Sequence, residues 1–353
     1  MRTMLQLDGA PDPMGARPQA LSDEQFVQLR QLLDASSRTF ALTIPLLPGG
    51  LENSVELAYL LLRAADAIED ATHLPLSDRL QLLERLRDAL LLQGEDPDLV
   101  ADCGLFAQRL APGGEQAVLM QMGLLVEALQ LQTPAAADVI RAHCARVMLR
   151  MGHWLTAATH DGELQLRDLG ELSDYMYSVA GIVGELLTDL FALHSPASSR
   201  LALMARAADF GAGLQLTNII KDAAEDASQG RQFLPDEWCF VGASDGAERL
   251  QALVEIARVR LHTATVYTTL LPPAPQGIRQ FCFAPIVLAL ATLEALASRA
   301  DEAVAGESIK VDRSAVPQLL HRASIAVSST EAMVALHDEL DRSIDRAWEA
   351  RRT

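Results

Sequence analysis

An all-α fold in one domain follows from three features of the 353-residue sequence. Leu and Ala dominate, whereas the alternating Val/Ile/Thr-rich runs that mark half-buried strands are scarce. Apolar residues recur at helical spacing from about Leu21 to the end of the chain. No linker and no repeat of roughly 20–50 residues divides that pattern, and a hydrophobic content of 50% is enough for one large core.

Residues 1–20 are polar and Pro/Gly-rich and are expected to form a flexible tail, with residues 21–353 as the helical domain. Ser22 is an N-cap candidate for the first helix, with Glu24 and Gln25 close behind. "LTIPLLPGG" breaks that helix, and the next runs over 51–70 until "THLPLS". Further helices are expected at 76–93, 115–132, 135–158, 171–194, 199–228, 246–271, 277–304 and 314–350, the last with room for a split. The longest apolar stretch, "FCFAPIVLALATLEALA" at 281–297, is shorter than the ~20 residues of a membrane span. It also holds Pro285 and Glu294, and so reads as a buried helix. No signal peptide is legible, and the charged C-terminal "DRSIDRAWEARRT" reads as a surface helix, so a cytoplasmic protein is expected.

A formal net charge of −18 argues against a nucleic-acid partner, which needs a basic face. It does not exclude anionic substrates, because divalent cations invert the field of a carboxylate-rich site. Cys103, Cys144, Cys239 and Cys282 form no CxxC pair, and no His cluster has zinc spacing; free thiols in a reducing compartment are expected.

The helix at 51–70 poses a problem. Tyr59, Arg63, Asp66 and Asp70 share one face, while Val55, Leu57, Ala58, Leu60, Leu61, Leu62, Ala64, Ala65, Ala67 and Ile68 fill the others. A lone DxxxD is usually a solvated face. A helix apolar elsewhere is buried, however, so this stripe should line an internal cavity. Two aspartates at i and i+4 repel there and call for a cation. The pattern returns in "LQLTNIIKDAAEDASQGRQF", where Gln215, Asn218, Asp222 and Asp226 share a face. Carboxylates without His or Cys suit a hard ion: Mg²⁺, with Mn²⁺ as substitute, held between two facing stripes and bridged by a diphosphate. Arg38, Arg63, Lys221 and Arg231 are candidate diphosphate partners.

These residues resemble the squalene and phytoene synthase family of head-to-head prenyl synthases, over about 33–325. "SSRTFALTIPLL" is similar to its opening motif at Ser37, Arg38 and Phe40. "LLRAADAIED" and "LQLTNIIKDAAEDASQGRQFLPDEW" resemble its two aspartate-rich motifs, and "YMYSVAGIVGELLT" its central helix. "FCFAPIVLALATLEAL" resembles the squalene-forming branch at Phe281, Cys282 and Pro285. "SIKVDRSAV" is similar to that branch's NADPH loop, through Lys310 and Arg313, although Asp312 falls where the family is usually basic.

The resemblance implies the all-α isoprenoid synthase fold around a central cavity. The implied substrates are two farnesyl diphosphates, joined through presqualene diphosphate and reduced by NADPH to squalene. Asp66, Asp70, Asp222 and Asp226 would hold Mg²⁺, with Glu69 behind them, and Arg38, Arg63 and Arg231 would steady phosphates. Asn218 and Gln215 would orient water or phosphate, and Asn218 and Arg231 are also expected near the cofactor. Tyr175 is the implied catalytic tyrosine; Phe40, Tyr59 and Phe281 belong with the prenyl chains. Ala180, Gly181 and Gly184 imply close helix packing or room for a prenyl chain. A monomer or weak homodimer with peripheral membrane contact for product release completes the expectation. Still open are a non-reducing family member giving presqualene diphosphate, dehydrosqualene or phytoene, a terpene cyclase, and a non-catalytic prenyl-lipid binder.

Overall fold

The computed structural model describes residues 21–37, 39–92, 96–157, 164–196, 198–228 and 231–351; the tail and Arg38 lie outside them. The described residues form helices and no named strand, as expected, with one isolated bridge between Gln165 and Gln232. In chain order the helices are α1 Asp23–Ser36, α2 Phe40–Thr43, α3 Gly49–Glu69, α4 Leu76–Leu92, α5 Pro97–Ala107, α6 Gly114–Met120, α7 Met122–Gln130 and α8 Pro134–Ala157. Then come α9 Leu169–Met176, α10 Ile182–His194, α11 Arg200–Ser228, α12 Gly246–Thr269, α13 Gly277–Ser298, α14 Ala300–Val304, α15 Val316–Ala326 and α16 Thr330–Arg351.

The departures from expectation have local causes. Helix α5 lies where a loop was expected; Asp96 caps it by accepting from the backbone N–H groups of Asp98 and Leu99, with Pro97 at its first position. The expected helix at 115–132 breaks at Gln121 into α6 and α7. The expected helix at 171–194 is α9 and α10 joined by a π-turn at Tyr177–Gly181. The C-terminal pattern does split, at Val327–Ser329. The Ser22 cap forms a full capping box with Gln25.

Helices α3, α8, α9–α10, α11 and α13 surround a central chamber, and α12 and α16 pack outside α11 and α13. Helix α13 is buried along most of its length, as the long apolar run predicts. Burying each such Leu, Ile or Phe contributes roughly 1.5–3 kcal/mol. Pro285 lies inside this helix and has no N–H for the carbonyl four residues back. Arg279, buried at the α13 start, donates to the carbonyls of Leu271 and Thr269 at 2.8 and 3.0 Å, which satisfies the end of α12. The spans Leu169–His194 and Gly277–Ser298 are long and apolar enough to cross a membrane, and 56% and 67% of their most apolar stretches are buried within the fold.

The small residues of the central helix are packing devices. A Cβ on Gly184 would stand 1.9 Å from the Ala207 carbonyl oxygen, and one on Gly211 would stand 2.0 Å from that of Ala180. The wall between α9–α10 and α11 is therefore backbone against backbone.

Candidate active site

The chamber has a volume of ≈ 250 Å³ and is mostly apolar. Val55, Ala58 and Leu62 of α3, Val147 and Met151 of α8, and Val179, Ala180 and Val183 of the π-turn and α10 line it. Phe40, Ile44, Phe281 and Pro285 line it as well; Phe40 lies 5.4 Å from the Tyr59 ring and 6.3 Å from that of Phe281. Arg63 and Asp66 on α3 and Gln215 and Asn218 on α11 are its polar members. Gln215 and Asn218 also border a second, polar cavity of ≈ 260 Å³ lined by Asp222, Glu225, Asp226, Arg231 and Phe233. A greasy chamber thus opens into a charged mouth.

Both stripes reach that mouth. Asp66 is 37% exposed, but to the chamber; burial pushes its carboxyl up to about 7, with Arg63 pulling down and Asp70 pushing further up. Glu69 is driven to about 8 by burial and by repulsion from Asp66 and Asp70, against Arg79. Burial also raises Asp70, and the cation that most opposes this is Arg231, from beyond the second stripe. Asp226 is buried and raised by that burial, while Arg231 donates to its Oδ1 at 2.9 Å. Lys221 lies 3.1 Å from Asp222. These mutual influences mean that the two stripes face each other.

Tyr175 sits between them. Its ring stacks on Phe233 at 5.4 Å and meets the edge of Trp154 at 5.8 Å. Burial holds its phenol well above the usual tyrosine range, and Glu69, Asp70, Asp66 and Asp226 push it further. The charge of Glu69 is thus felt at Tyr175. Arg79 supports this corner by donating from Nη1 to the Glu69 carbonyl at 2.6 Å.

Several expected residues make contacts of their own. Cys282 is fully buried next to Tyr267 and does not line the chamber, because α13 turns Phe281 and Pro285, four apart, to that face and Cys282 away. The Ser37 hydroxyl accepts from the Phe40 N–H at 2.9 Å and so caps the turn into α2. The Tyr59 hydroxyl donates to the Ser36 carbonyl at 3.0 Å, leaving its ring for the chamber. Lys310 lies 4.0 Å from Glu225, which lines the mouth. Asp312 accepts from the N–H and hydroxyl of Ser314, both at 2.8 Å, so its carboxylate is turned into its own loop. Trp154, Phe233 and Glu115 escaped sequence reasoning. Phe233 stands inside the quoted second motif, and its aromatic type was the one available signal.

Among the described residues no three His, Cys, Asp or Glu side chains converge as a ready-made metal cluster. The carboxylates are instead paired with Arg63, Lys221 and Arg231. The donor set still fits Mg²⁺, which takes one or two carboxylates and fills its shell with water and phosphate oxygens. The elevated Asp66 and Glu69 mark a region with too little positive charge of its own.

The squalene/phytoene synthase family model matches residues 33–315. The chain belongs to that family. It is 29% identical over 242 residues to squalene synthase ERG9 of Candida albicans, covering 67% of this chain and 51% of that protein. It is 29% identical over 313 residues to squalene synthase ERG9 of Saccharomyces cerevisiae, covering 83% and 66%, and 29% identical over 277 residues to squalene synthase of Rattus norvegicus, covering 74% and 62%. The chain thus spans about half to two thirds of the length of these family members. The fold is that of TcSQS in complex with the ligand BPH1237, at a TM-score of 0.71 and 24% identity over 93% of this chain and 99% of that one. A dehydrosqualene synthase in complex with ligand has the same fold, at a TM-score of 0.60 and 19% identity over 86% and 96%.

Proposed function

We propose that the chain is a Mg²⁺-dependent prenyl transferase that joins two farnesyl diphosphates head to head through presqualene diphosphate, then reduces the product to squalene with NADPH. The observation that carries this reading is the apolar chamber opening onto two facing aspartate stripes. The shape suits a substrate with a greasy tail and a polyanionic diphosphate head. Relatives named squalene synthase supply the choice within the family.

Asp66, Asp70, Asp222 and Asp226 would hold Mg²⁺, with Glu69 adjoining. Bound there, the ion supplies charge that stabilises the departing diphosphate. Arg63 and Arg231 donate to phosphate oxygens, and Asn218 and Gln215 sit where chamber and mouth meet, suited to orient the head group. Phe40, Phe281, Pro285 and the aliphatic walls keep water from an allylic cation, which it would quench. The Tyr175 ring offers its π-face to such a cation. Its raised pKa keeps the phenol protonated; as the cyclopropane closes, its oxygen would accept the substrate's proton while its own proton passes to a hydrogen-bonded phosphate or carboxylate oxygen.

Lys310 and Arg313 remain the loop's candidate NADPH contacts, while the exposed Asp312 is held as a carboxylate by the Ser314 N–H and hydroxyl. The exposed carboxylate of Asp312 in that loop favours a second reading, a non-reducing member releasing presqualene diphosphate or dehydrosqualene. We expect a cytoplasmic enzyme that touches a membrane only to release product. Incubation with farnesyl diphosphate and Mg²⁺, with and without NADPH, followed by mass spectrometry of the extract, decides. Squalene formed only with NADPH is expected. A product profile unmoved by millimolar NADPH selects the non-reducing reading, and no diphosphate release under either condition overturns the transferase.

A further inference from the structure

Arg63 has two acidic hydrogen-bond partners and lies closer to one. Its Nη2 donates to Glu115 of α6 at 2.6 Å, whereas its Nη1 reaches Asp66, three residues along its own helix, only at 3.5 Å. On an isolated helix the i,i+3 partner would be the nearer choice. The longer contact to Asp66 indicates that Glu115 has drawn the guanidinium away from it.

Glu115 is set in a fixed frame. A Cβ on Gly114 would lie 2.3 Å from the Ala35 carbonyl oxygen, so the first turn of α6 abuts the end of α1. Gln116 donates to the carbonyls of Ala107 and Leu110 at 3.1 and 3.3 Å, and Val118 and Leu119 are fully buried. The same end of α1 accepts the Tyr59 hydroxyl at Ser36, which ties it to the stripe that carries Arg63. Glu115 also acts on Arg63, Asp66 and Asp70, so its charge is felt across the mouth.

We infer that Glu115 is a positioning residue: it holds Arg63 off Asp66, leaving Asp66 free for a cation and Arg63 aimed at the diphosphate. The inference rests on the proposed function, which supplies the cation and the anion. Without Glu115, Arg63 closes onto Asp66 and each spends its charge on the other.

Sign separates this role from plain electrostatics. Glu115 is a negative charge beside an anion site, so Coulomb's law alone has its removal tighten anion binding. Positioning has its removal weaken that binding. The pair is partly exposed, 28% for Arg63 and 41% for Glu115, so a modest effect is expected: about fivefold, the scale of a partly exposed ion pair.

The test is calorimetric titration of the full chain with inorganic diphosphate in Mg²⁺. The parent, Glu115→Gln, Glu115→Asp, Arg63→Ala and the Arg63→Ala/Glu115→Gln double variant are compared, with circular dichroism to verify folding. Glu115→Gln should weaken diphosphate about fivefold, Glu115→Asp should recover most of the loss, and Glu115→Gln should weaken nothing further once Arg63 is gone. Equal or tighter binding by Glu115→Gln overturns the inference, as does the same weakening in the Arg63→Ala background. A folded parent that binds no diphosphate overturns the reading of the mouth itself, and the inference with it. A parent that binds while Glu115→Gln binds as well fails the inference alone.

Discussion

Asp66 on α3 shares its cation, Arg63, with Glu115 of a separate helix, whereas Asp226 on α11 takes Arg231 from five residues on and Asp222 takes the adjacent Lys221. The first stripe borders the closed chamber and its Glu69 is lifted to about 8; the second lines the open mouth. Two near-identical sequence patterns thus reach different electrostatic states. Tertiary neighbours set the first, and residues close along the chain set the second.

The largest test of that contrast is charge removal. Asp66→Asn and Asp222→Asn should each lower turnover by on the order of a hundredfold, the scale of lost electrostatic stabilisation in a closed site. Asp66→Asn should cost more, because Asp66 borders the apolar chamber whereas Asp222 lines the polar mouth. Steady-state kinetics at saturating Mg²⁺ checks both; near-normal turnover in both removes the metal assignment, and a reversed order breaks the comparison.

Helix α11 carries the second stripe against α10 by backbone contact at Gly184. Gly184→Ala adds a methyl where no flexible side chain can give way, and should destabilise by about 3 kcal/mol. Urea denaturation reads the loss. Diphosphate affinity should fall more than in a control substitution on α1, since only α11 is pushed aside.

The helix of the first stripe has its own sensitivity. Glu56 on α3 is 1% exposed, and its carboxyl is pushed to about 7 by burial, against the pull of Arg30, with Glu52 and Asp34 adding repulsion. The folded state therefore keeps a proton that the unfolded chain, near 4.5, gives up. Stability should fall as pH rises from about 4.5 to about 7 and level off above. Glu56→Gln should flatten that slope by on the order of 2 kcal/mol between its ends. Urea midpoints across that range test it, and an unchanged slope shows that Glu56 titrates normally.

Tyr175 feels carboxylates of both stripes, so it should respond to neither alone. Tyr175→Phe removes one hydroxyl from a packed ring and should fold normally. It should slow the first half-reaction by about tenfold, within the lower range of a lost proton-transfer partner, and the second half-reaction less. Single-turnover formation of presqualene diphosphate at the parent rate would take Tyr175 out of the chemistry.

Both stripes and nearly every long helix were legible because they depend on spacing, which the sequence carries directly. The glycines of the central helix were legible as well, since mid-helix glycine costs ~1 kcal/mol against Ala and so signals close packing. Helix α5 was missed although Asp96 and Pro97 announce it. Glu115 and Trp154 were invisible for another reason: each gains its role from a partner on a different helix, 52 residues away for Arg63 and Glu115. Cys282 was misassigned because neighbours in a motif lie about 100° apart on a helix; Phe281 met the chamber and Cys282 did not.

The contacts of Gly184 with Ala207 and of Gly211 with Ala180 fix the spacing of α10 and α11, the two helices that form one wall of the chamber. That wall is a fixed edge against which the opposite side measures length. Substitutions that alter the length of chain accepted are therefore expected at Val55, Ala58 and Leu62 of α3, at Val147 and Met151 of α8, and at Phe281 of α13, which line the opposite side.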